Sequence, residues 1–172
     1  MSVLRVGIVG AGKIGAKRAR EVARAHDSRL VAVVDSDAVR ARALAGEYAC
    51  RSGTDWEALV SSREVDAVIV ATTHRWLARV SLGALDSHKH VLCEKPLARN
   101  AAEARPVVAA STRNGARLMT GFNHREPGVV GVEASRATAG ELVVEAAAGL
   151  KRAGASDTIL ATLVRFILER SS

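Results

Sequence analysis

Three glycines near the start of the chain have the spacing of a phosphate-binding turn. Gly10, Gly12 and Gly15 lie in the segment GAGKIG at 10–15, which follows the apolar run Val3–Val9 and precedes a run with helical periodicity. The first glycine permits a tight turn, the second leaves room for a diphosphate, and the third lets the helix pack closely on the strand. Backbone N–H groups and the positive end of the helix dipole then favour the anion. The motif alone is weak evidence for a nucleotide, because glycines often serve only as turns.

An acidic residue supplies the second part of a dinucleotide-binding pattern. Asp35 ends the next apolar run, Leu30–Val34, and stands twenty residues after Gly15. Its carboxylate is suited to accept hydrogen bonds from the ribose hydroxyls of adenosine, and its charge repels a 2′-phosphate, which favours NAD over NADP. NADP stays open, because Ser36 beside the acid and Arg40 one turn into the next helix are able to accommodate a phosphate.

The elements that must position these groups follow from the alternation of apolar runs with segments of helical spacing. The predicted strands comprise residues 3–9, 30–34, 66–71, 90–93 and 117–122. The predicted helices comprise residues 13–25, 38–46, 55–60, 76–85 and 101–115. This rhythm predicts an α/β fold of the doubly wound Rossmann type, a parallel sheet with helices on both faces.

Polar segments also follow two of the later predicted strands. Residues 72–74, Thr-Thr-His, follow the run 66–71, and residues 94–96, Glu-Lys-Pro, follow the run 90–93. In open α/β sheets, ligands bind in the crevice at the carboxyl ends of the strands. We therefore expect both segments to approach the site that the glycine turn begins.

The order of five segments resembles the glucose-fructose oxidoreductase, inositol dehydrogenase and rhizopine catabolism (Gfo/Idh/MocA) family over approximately residues 3–125. The segments are GAGKIG, VVDSD, VDAVIVATTH, KHVLCEKPLARNAAEA and LMTGFNHR. Glu-Lys-Pro at a strand end is more specific than the glycine turn and carries most of the resemblance. The resemblance implies hydride transfer between NAD or NADP and a hydroxyl or carbonyl carbon, commonly on a sugar, cyclitol or related polyol.

The resemblance places the motif lysine, here Lys95, beside the reacting oxygen. An ammonium group there stabilises a developing alkoxide and takes part in proton transfer, typically worth about 10²- to 10⁴-fold in rate. The resemblance implies that Glu94 positions its neighbours, while Pro96 fixes the local backbone. A lone lysine after a strand is more often a surface residue, but within Glu-Lys-Pro the active-site interpretation is favoured.

The glycine pattern and the resemblance together predict the residues that contact the cofactor. These are Gly10, Ala11, Gly12, Lys13, Ile14, Gly15, Asp35, Ser36, Arg40, Ala71, Thr72, Thr73, His74, Glu94, Lys95 and Asn123. His124 and Arg125 are implied on the substrate side. His74 has two interpretations, since many relatives carry a histidine three positions later, where this chain has Leu77; it either approaches the nicotinamide or is a solvated loop residue.

The alternation ends after about residue 124, where proline and glycine interrupt it. We expect an NAD(P)-binding domain over 1–124 and a shortened, mostly helical region over 125–172 that ends in an amphipathic helix. Family members continue into a second α/β domain of about a hundred or more residues, which this region is too short to contain. Three possibilities stay open: a truncated oxidoreductase of the family, a non-catalytic NAD(P)-binding module or pseudoenzyme, and a purely structural Rossmann domain that binds no dinucleotide. The last helix would cover the sheet of this chain, or dock a partner or a second copy of the chain.

Composition narrows the class of protein further. The formal charge of +7 arises from 25 Lys and Arg against 18 Asp and Glu. The basic residues are spread over several predicted helix faces without interleaved aromatics, which indicates a solvated surface rather than a nucleic-acid site. No apolar run approaches the roughly 20 residues of a membrane span, and no metal-binding pattern is present. Two cysteines and the absence of a signal-peptide pattern predict a cytoplasmic protein.

Overall fold

Strands and helices alternate along residues 3–121, the part of the chain that the computed structural model describes. The strands are β1 (Leu4–Val9), β2 (Ser28–Val34), β3 (Arg51–Gly53), β4 (Ala67–Val70), β5 (His90–Glu94) and β6 (Leu118–Gly121). The helices are α1 (Lys13–Arg24), α2 (Ala38–Glu47), α3 (Trp56–Ser61), α4 (His74–Asp86) and α5 (Ala101–Asn114). None of these described helices has the length and apolar character needed to cross a membrane.

The six strands form one parallel sheet in the order β3-β2-β1-β4-β5-β6. Successive residues of β4 pack into separate cores on the two faces of the sheet. In β4, Val68 and Val70 belong to the core that α3, α4 and α5 cover, whereas Ile69 belongs to the core under α1 and α2. Because neighbouring side chains of a strand point to opposite faces, a sheet covered on both faces needs continuous apolar runs. The prediction of a doubly wound parallel sheet is confirmed, and the predicted helical region at 125–172 lies outside the described residues.

Capping residues set the ends of the helices. Asp55 Oδ1 accepts hydrogen bonds from the backbone N–H of Glu57 at 2.8 Å and of Ala58 at 3.1 Å. Asp55 is therefore the N-cap of α3. The sequence pattern had predicted it as the first residue of the helix. At the other end of the domain, Gly115 adopts the left-handed conformation, with φ at 61°, and ends α5.

Strand β3 was not predicted, because its three residues contain no apolar run. It forms through backbone pairing with the longer β2, in which Ala32 lies opposite Arg51 and Val34 opposite Gly53. The neighbouring strand β2 thus supplies the backbone pairing that makes these residues a strand, which no local apolar pattern indicates. The strand places the segment that follows it, with Thr54 and α3, beside the carboxyl end of β2.

The carboxyl ends of four strands lie side by side. The register pairs Val9 with Val70, Val70 with Cys93, and Cys93 with Thr120. The glycine turn after β1, the polar segment after β4 and the Glu-Lys-Pro motif of β5 therefore emerge at one edge of the sheet, as the strand order of this fold requires.

Candidate cofactor-binding site

An open cleft of about 630 Å³ lies at this edge of the sheet, between the ends of β1, β2 and β4. Ten of the predicted cofactor residues line it: Gly10, Gly12, Lys13, Ile14, Asp35, Ser36, Arg40, Ala71, Thr72 and Thr73. Its lining does not include five others of the described residues: Ala11, Gly15, His74, Glu94 and Lys95. Asn123, His124 and Arg125 lie outside the described residues.

The three glycines of the turn differ in what a side chain at each position would contact. A Cβ on Gly10, whose φ is +109°, would lie 2.3 Å from the carbonyl oxygen of Ala71, and a Cβ on Gly15 would lie 1.8 Å from the carbonyl oxygen of Gly10. Packing within the domain therefore excludes side chains at both positions. A Cβ on Gly12 would meet nothing within 4 Å, although Gly12 lines the cleft. The absent side chain at Gly12 keeps open a space in the cleft that a diphosphate group fits.

Helix α1 presents its N-terminus to the same space. Gly12 is its N-cap and provides no side-chain cap, and the first turn contains no acidic residue. The first N–H groups of a helix have no partner within the helix, and the helix dipole adds about half a positive charge there. The end of α1 beside Gly12 and Lys13 is thus suited to an anion and fits the diphosphate of a dinucleotide.

Asp35 joins the glycine turn to the end of β2. Its Oδ2 accepts a hydrogen bond from the backbone N–H of Ala11 at 2.7 Å, and its Oδ1 accepts one from the N–H of Asp37 at 2.9 Å. The side chain is only 11% exposed. A carboxylate has about four acceptor positions, and its further contacts, from Ser36 Oγ and Arg40 Nη2, are long at 3.5 Å, so the acid keeps capacity for ribose hydroxyls. Ala11 thus contacts the acid through its backbone N–H.

Arg40 lies between two carboxylates. Its Nη2 is 3.5 Å from Asp35 Oδ1, and its Nε is 3.1 Å from Asp37 Oδ2. Asp37 also caps α2, and the hydrogen bond from the backbone N–H of Arg40 lowers the pKa of Asp37 below its ordinary value. The arginine charge at this end of the cleft is therefore largely offset by its own neighbours.

The segment after β4 forms the opposite side of the cleft. Thr72 and Thr73 both line it, and Thr73 is the N-cap of α4 without donating or accepting a side-chain capping bond. His74 is the first residue of α4 and is exposed to solvent. Its approach to the nicotinamide remains a prediction.

The Glu-Lys-Pro motif divides into a buried acid and an exposed base. Glu94 Oε1 lies 2.6 Å from Arg18 Nε, and the side chains are 8% and 14% exposed. Lys95 is exposed, and the peptide bond between Lys95 and Pro96 is cis. Glu94 therefore connects β5 to α1 in this structure. The adjacent Cys93 is fully buried, and burial raises the pKa of its thiol, which makes it a packing residue and not a nucleophile.

Sequence reasoning did not assign four other polar or aromatic residues that line the cleft: Thr54, Trp56, Arg75 and Trp76. The sequence pattern placed Trp56 and Trp76 only within predicted helices. The signal that could have marked them is their position, because they are the only tryptophans of the chain and each stands in the first turn of a helix that follows a strand end.

The fold and the cleft define an NAD(P)-binding Rossmann domain. Residues 4–122 match the family model GFO_IDH_MocA, described as an oxidoreductase family with an NAD-binding Rossmann fold. The chain belongs to this family, which confirms the resemblance seen in the sequence.

Known proteins similar to the chain include enzymes and cofactor complexes. The inositol 2-dehydrogenase of Salmonella typhimurium is 37% identical over 126 residues, which cover 71% of this chain and 38% of that protein. GenD2 from gentamicin A biosynthesis, solved in complex with NAD, is 27% identical with a TM-score of 0.71, covering 83% of this chain and 39% of that chain. Biliverdin reductase from Synechocystis, solved with biliverdin and NADP+, is 29% identical with a TM-score of 0.65, and the match covers 68% of this chain and 37% of that chain. The chain spans about two fifths of the length of the curated relatives it matches.

Proposed function

We propose that this chain functions as an NAD-preferring oxidoreductase that transfers a hydride at a hydroxyl or carbonyl carbon of a sugar, cyclitol or related polyol. The observation that carries the proposal is the position of Lys95. The lysine is exposed at the same sheet edge as the cleft that Gly12 keeps open. The polyol class is supported by the inositol 2-dehydrogenases among the relatives.

The preference for NAD over NADP is supported by Asp35 and Arg40. The Asp35 carboxylate lies in the cleft, where its charge opposes a 2′-phosphate. Arg40 offers little compensation, because Asp35 and Asp37 already lie 3.5 and 3.1 Å from its guanidinium nitrogens. A 2′-phosphate would have to compete with both carboxylates for this arginine.

In the proposed reaction, Lys95 acts at the substrate oxygen. The nicotinamide supplies the hydride acceptor or donor when the cofactor is bound. The Lys95 ammonium stabilises negative charge on the oxygen of the reacting carbon and exchanges a proton with it, a contribution of about 10²- to 10⁴-fold. Glu94 has a positioning function, since its pair with Arg18 holds the end of β5 against the helix that receives the diphosphate. Asn123, His124 and Arg125 complete the proposed cofactor and substrate contacts.

The test uses the full chain and two measurements. Calorimetry gives the affinities for NADH and NADPH, and nicotinamide absorbance follows turnover with a panel of sugars and cyclitols. We expect Lys95→Met to lower kcat by about 10²- to 10⁴-fold and to weaken NADH binding by a much smaller factor. Unchanged turnover in Lys95→Met would refute the assigned function of this lysine. Lys89→Met serves as the control, because Lys89 lies at the opposite end of β5 and donates to the Ser62 carbonyl.

The same experiment separates this proposal from a second candidate, a non-catalytic NAD(P)-binding module. The cleft supports this candidate too, because Lys95 is not among the residues that line it. NADH binding without turnover on any member of the panel would favour the module and count against the oxidoreductase.

A further inference from the structure

The buried polar side chains of the described part of the chain lie at the base of the Glu-Lys-Pro motif. Among residues 3–121, Ser81 and Glu94 are the two polar or charged side chains that are buried, at 0% and 6% exposure. Glu94 ends β5, and Ser81 lies on α4 beside the thiol of Cys93, the residue that precedes Glu94. Burying a polar group costs free energy that an apolar side chain does not, so their concentration at one place calls for an explanation.

The end of β5 is held from both faces of the sheet. On one face, the Glu94 carboxylate pairs with Arg18 of α1. On the other face, Cys93 is fully enclosed in the core that α3, α4 and α5 cover. Adjacent residues of a strand point to opposite faces, so these two side chains hold the same strand end from two sides.

The Cys93 thiol contacts the segment that carries Lys95. We term residues 94–97 the motif turn. Cys93 Sγ lies 3.3 Å from the carbonyl oxygen of Glu94 and 4.0 Å from that of Leu97, so the sulfur lies against both ends of the turn. The Leu97 side chain packs on the same core. A thiol has one proton, which it donates to one carbonyl at a time, and the shorter distance favours Glu94.

The surroundings of Cys93 keep its thiol in the form that donates. Burial raises the pKa of Cys93, the Ser81 hydroxyl beside it opposes this rise, and the Glu94 charge adds to it. The thiol is therefore protonated at neutral pH. The Ser81 oxygen forms no well-aligned hydrogen bond with any described residue. The polar atom on which it acts is thus the sulfur, which is a weak acceptor.

We propose that Cys93 is a positioning residue for Lys95: its buried thiol, supported by Ser81, holds the motif turn and fixes the place of the lysine. Cys93 does not line the cleft and acts through the turn. The effect on catalysis rests on the oxidoreductase function proposed above, whereas the order of the turn does not. One S–H···O bond is equivalent to about 2- to 5-fold in rate, and a lysine displaced by about 1 Å costs up to about 10²-fold.

The first test compares kcat with stability in two variants of the full chain. Cys93→Ser keeps a hydroxyl donor and Cys93→Ala removes the donor, while both remove buried volume and should lower the free energy of unfolding. We expect Cys93→Ala to lower kcat by about 2- to 100-fold with a much smaller change in KM, and Cys93→Ser to stay within about twofold of the wild-type kcat. Equal kcat values in the two variants would overturn the inference, because packing alone would then account for Cys93.

Ser81→Ala tests the support of the thiol without weakening the core. Removing an unpaired buried hydroxyl from α4 should leave the free energy of unfolding unchanged or raise it. We expect kcat to fall nonetheless, by about 2- to 5-fold. Cys50→Ala is the matched control and should keep the wild-type kcat, because Cys50 lies just before β3, at the opposite end of the sheet. A wild-type kcat in Ser81→Ala would overturn the part assigned to Ser81.

The second test requires no turnover. Backbone ¹⁵N relaxation of the full chain gives the order parameter of the Lys95 amide, about 0.85 in a rigid backbone and below about 0.6 in a flexible one. We expect the rigid value in wild type and Cys93→Ser, and a fall toward the flexible value in Cys93→Ala. A flexible Lys95 amide in wild type, or an unchanged one in Cys93→Ala, would overturn the inference.

The two measurements together separate this inference from the proposed function. If wild type turns over no polyol but the order parameters follow the expected pattern, the oxidoreductase proposal fails and the positioning of Lys95 by Cys93 stands. If wild type turns over a polyol and Cys93→Ala matches it in kcat and in order parameter, only the positioning fails.

Discussion

The Nε atom of Arg18 lies 2.6 Å from Oε1 of Glu94, and this ion pair joins the helix of the glycine turn to the strand that Lys95 follows. Both side chains are almost fully buried, at 14% and 8% exposure, and Arg18 also lies 2.7 Å from Glu21. A Cβ on Gly121 would come within 3.3 Å of the Glu94 carboxylate oxygens, so the end of β6 also packs closely on this pair. The acid of the Glu-Lys-Pro motif thereby couples two parts of the site through the interior of the domain.

Removal of Arg18 should destabilise the domain strongly, because it leaves the buried Glu94 carboxylate without this partner. We expect Arg18→Met to lower the free energy of unfolding by about 3–5 kcal/mol, measured by urea denaturation. Arg113→Met is the control, since Arg113 pairs with Asp86 at the surface, where both side chains are largely exposed. Its effect should be much smaller, because solvent screens exposed pairs. Equal losses of unfolding free energy in the two variants would show that the Arg18–Glu94 pair stabilises the fold no more than an exposed ion pair does.

Substitutions at two glycines of the turn should have different effects, at Gly12 on cofactor affinity and at Gly15 on stability. Gly12→Val adds atoms to open space in the cleft, so we expect NADH affinity to fall at least about tenfold while the thermal midpoint stays near that of the wild type. Gly15→Ala forces a Cβ toward the Gly10 carbonyl oxygen, at 1.8 Å without relaxation, and should destabilise the domain by about 1–3 kcal/mol or more. Calorimetry and thermal unfolding of both variants test this. Unaltered NADH binding by Gly12→Val would contradict the placement of the diphosphate.

Asp35 should control the choice between NADH and NADPH. Replacing it with alanine removes the ribose acceptor, the repulsion of a 2′-phosphate and one carboxylate that offsets Arg40. We expect Asp35→Ala to weaken NADH about tenfold or more and to weaken NADPH less or not at all. Parallel titrations with the two dinucleotides measure the ratio. A ratio equal to that of the wild type would refute the assigned function of Asp35.

Asp66 should make stability depend on pH in the acid range. The side-chain hydrogen bond from Arg5 is the main reason that the pKa of Asp66 falls from an ordinary 3.8 to about 2. A folded-state pKa below the unfolded one means that the ionised acid stabilises the fold above about pH 3.8, and that this contribution is lost as the pH falls toward about 2. We expect wild type to be more stable than Asp66→Asn at neutral pH, and the difference to shrink between those two values. Urea denaturation at several pH values measures it, and a difference independent of pH would contradict the pairing.

Local patterns in the sequence were sufficient to predict most of the fold. Apolar runs marked five of the six strands, and glycine spacing marked the turn, because both depend on neighbours within a few residues. Strand β3 escaped prediction because its pairing with β2, and not its own side chains, makes Arg51–Gly53 a strand. The start of α4 at His74, two residues before the predicted position 76, depends likewise on where β4 ends.

The sequence by itself determined the family, the Rossmann class of fold and the ten predicted residues that line the cleft, since these follow from motifs and from the order of elements along the chain. The tertiary structure decided which distant residues act together. Arg18 and Glu94 are 76 positions apart, and Ala11 and Asp35 are 24 apart. The Arg79 guanidinium lies 6.0 Å from the Trp56 ring and 5.0 Å from the Trp76 ring only because α3 and α4 pack beside each other on the same face of the sheet. Such contacts depend on strand order and register, which bring together side chains that no local pattern relates.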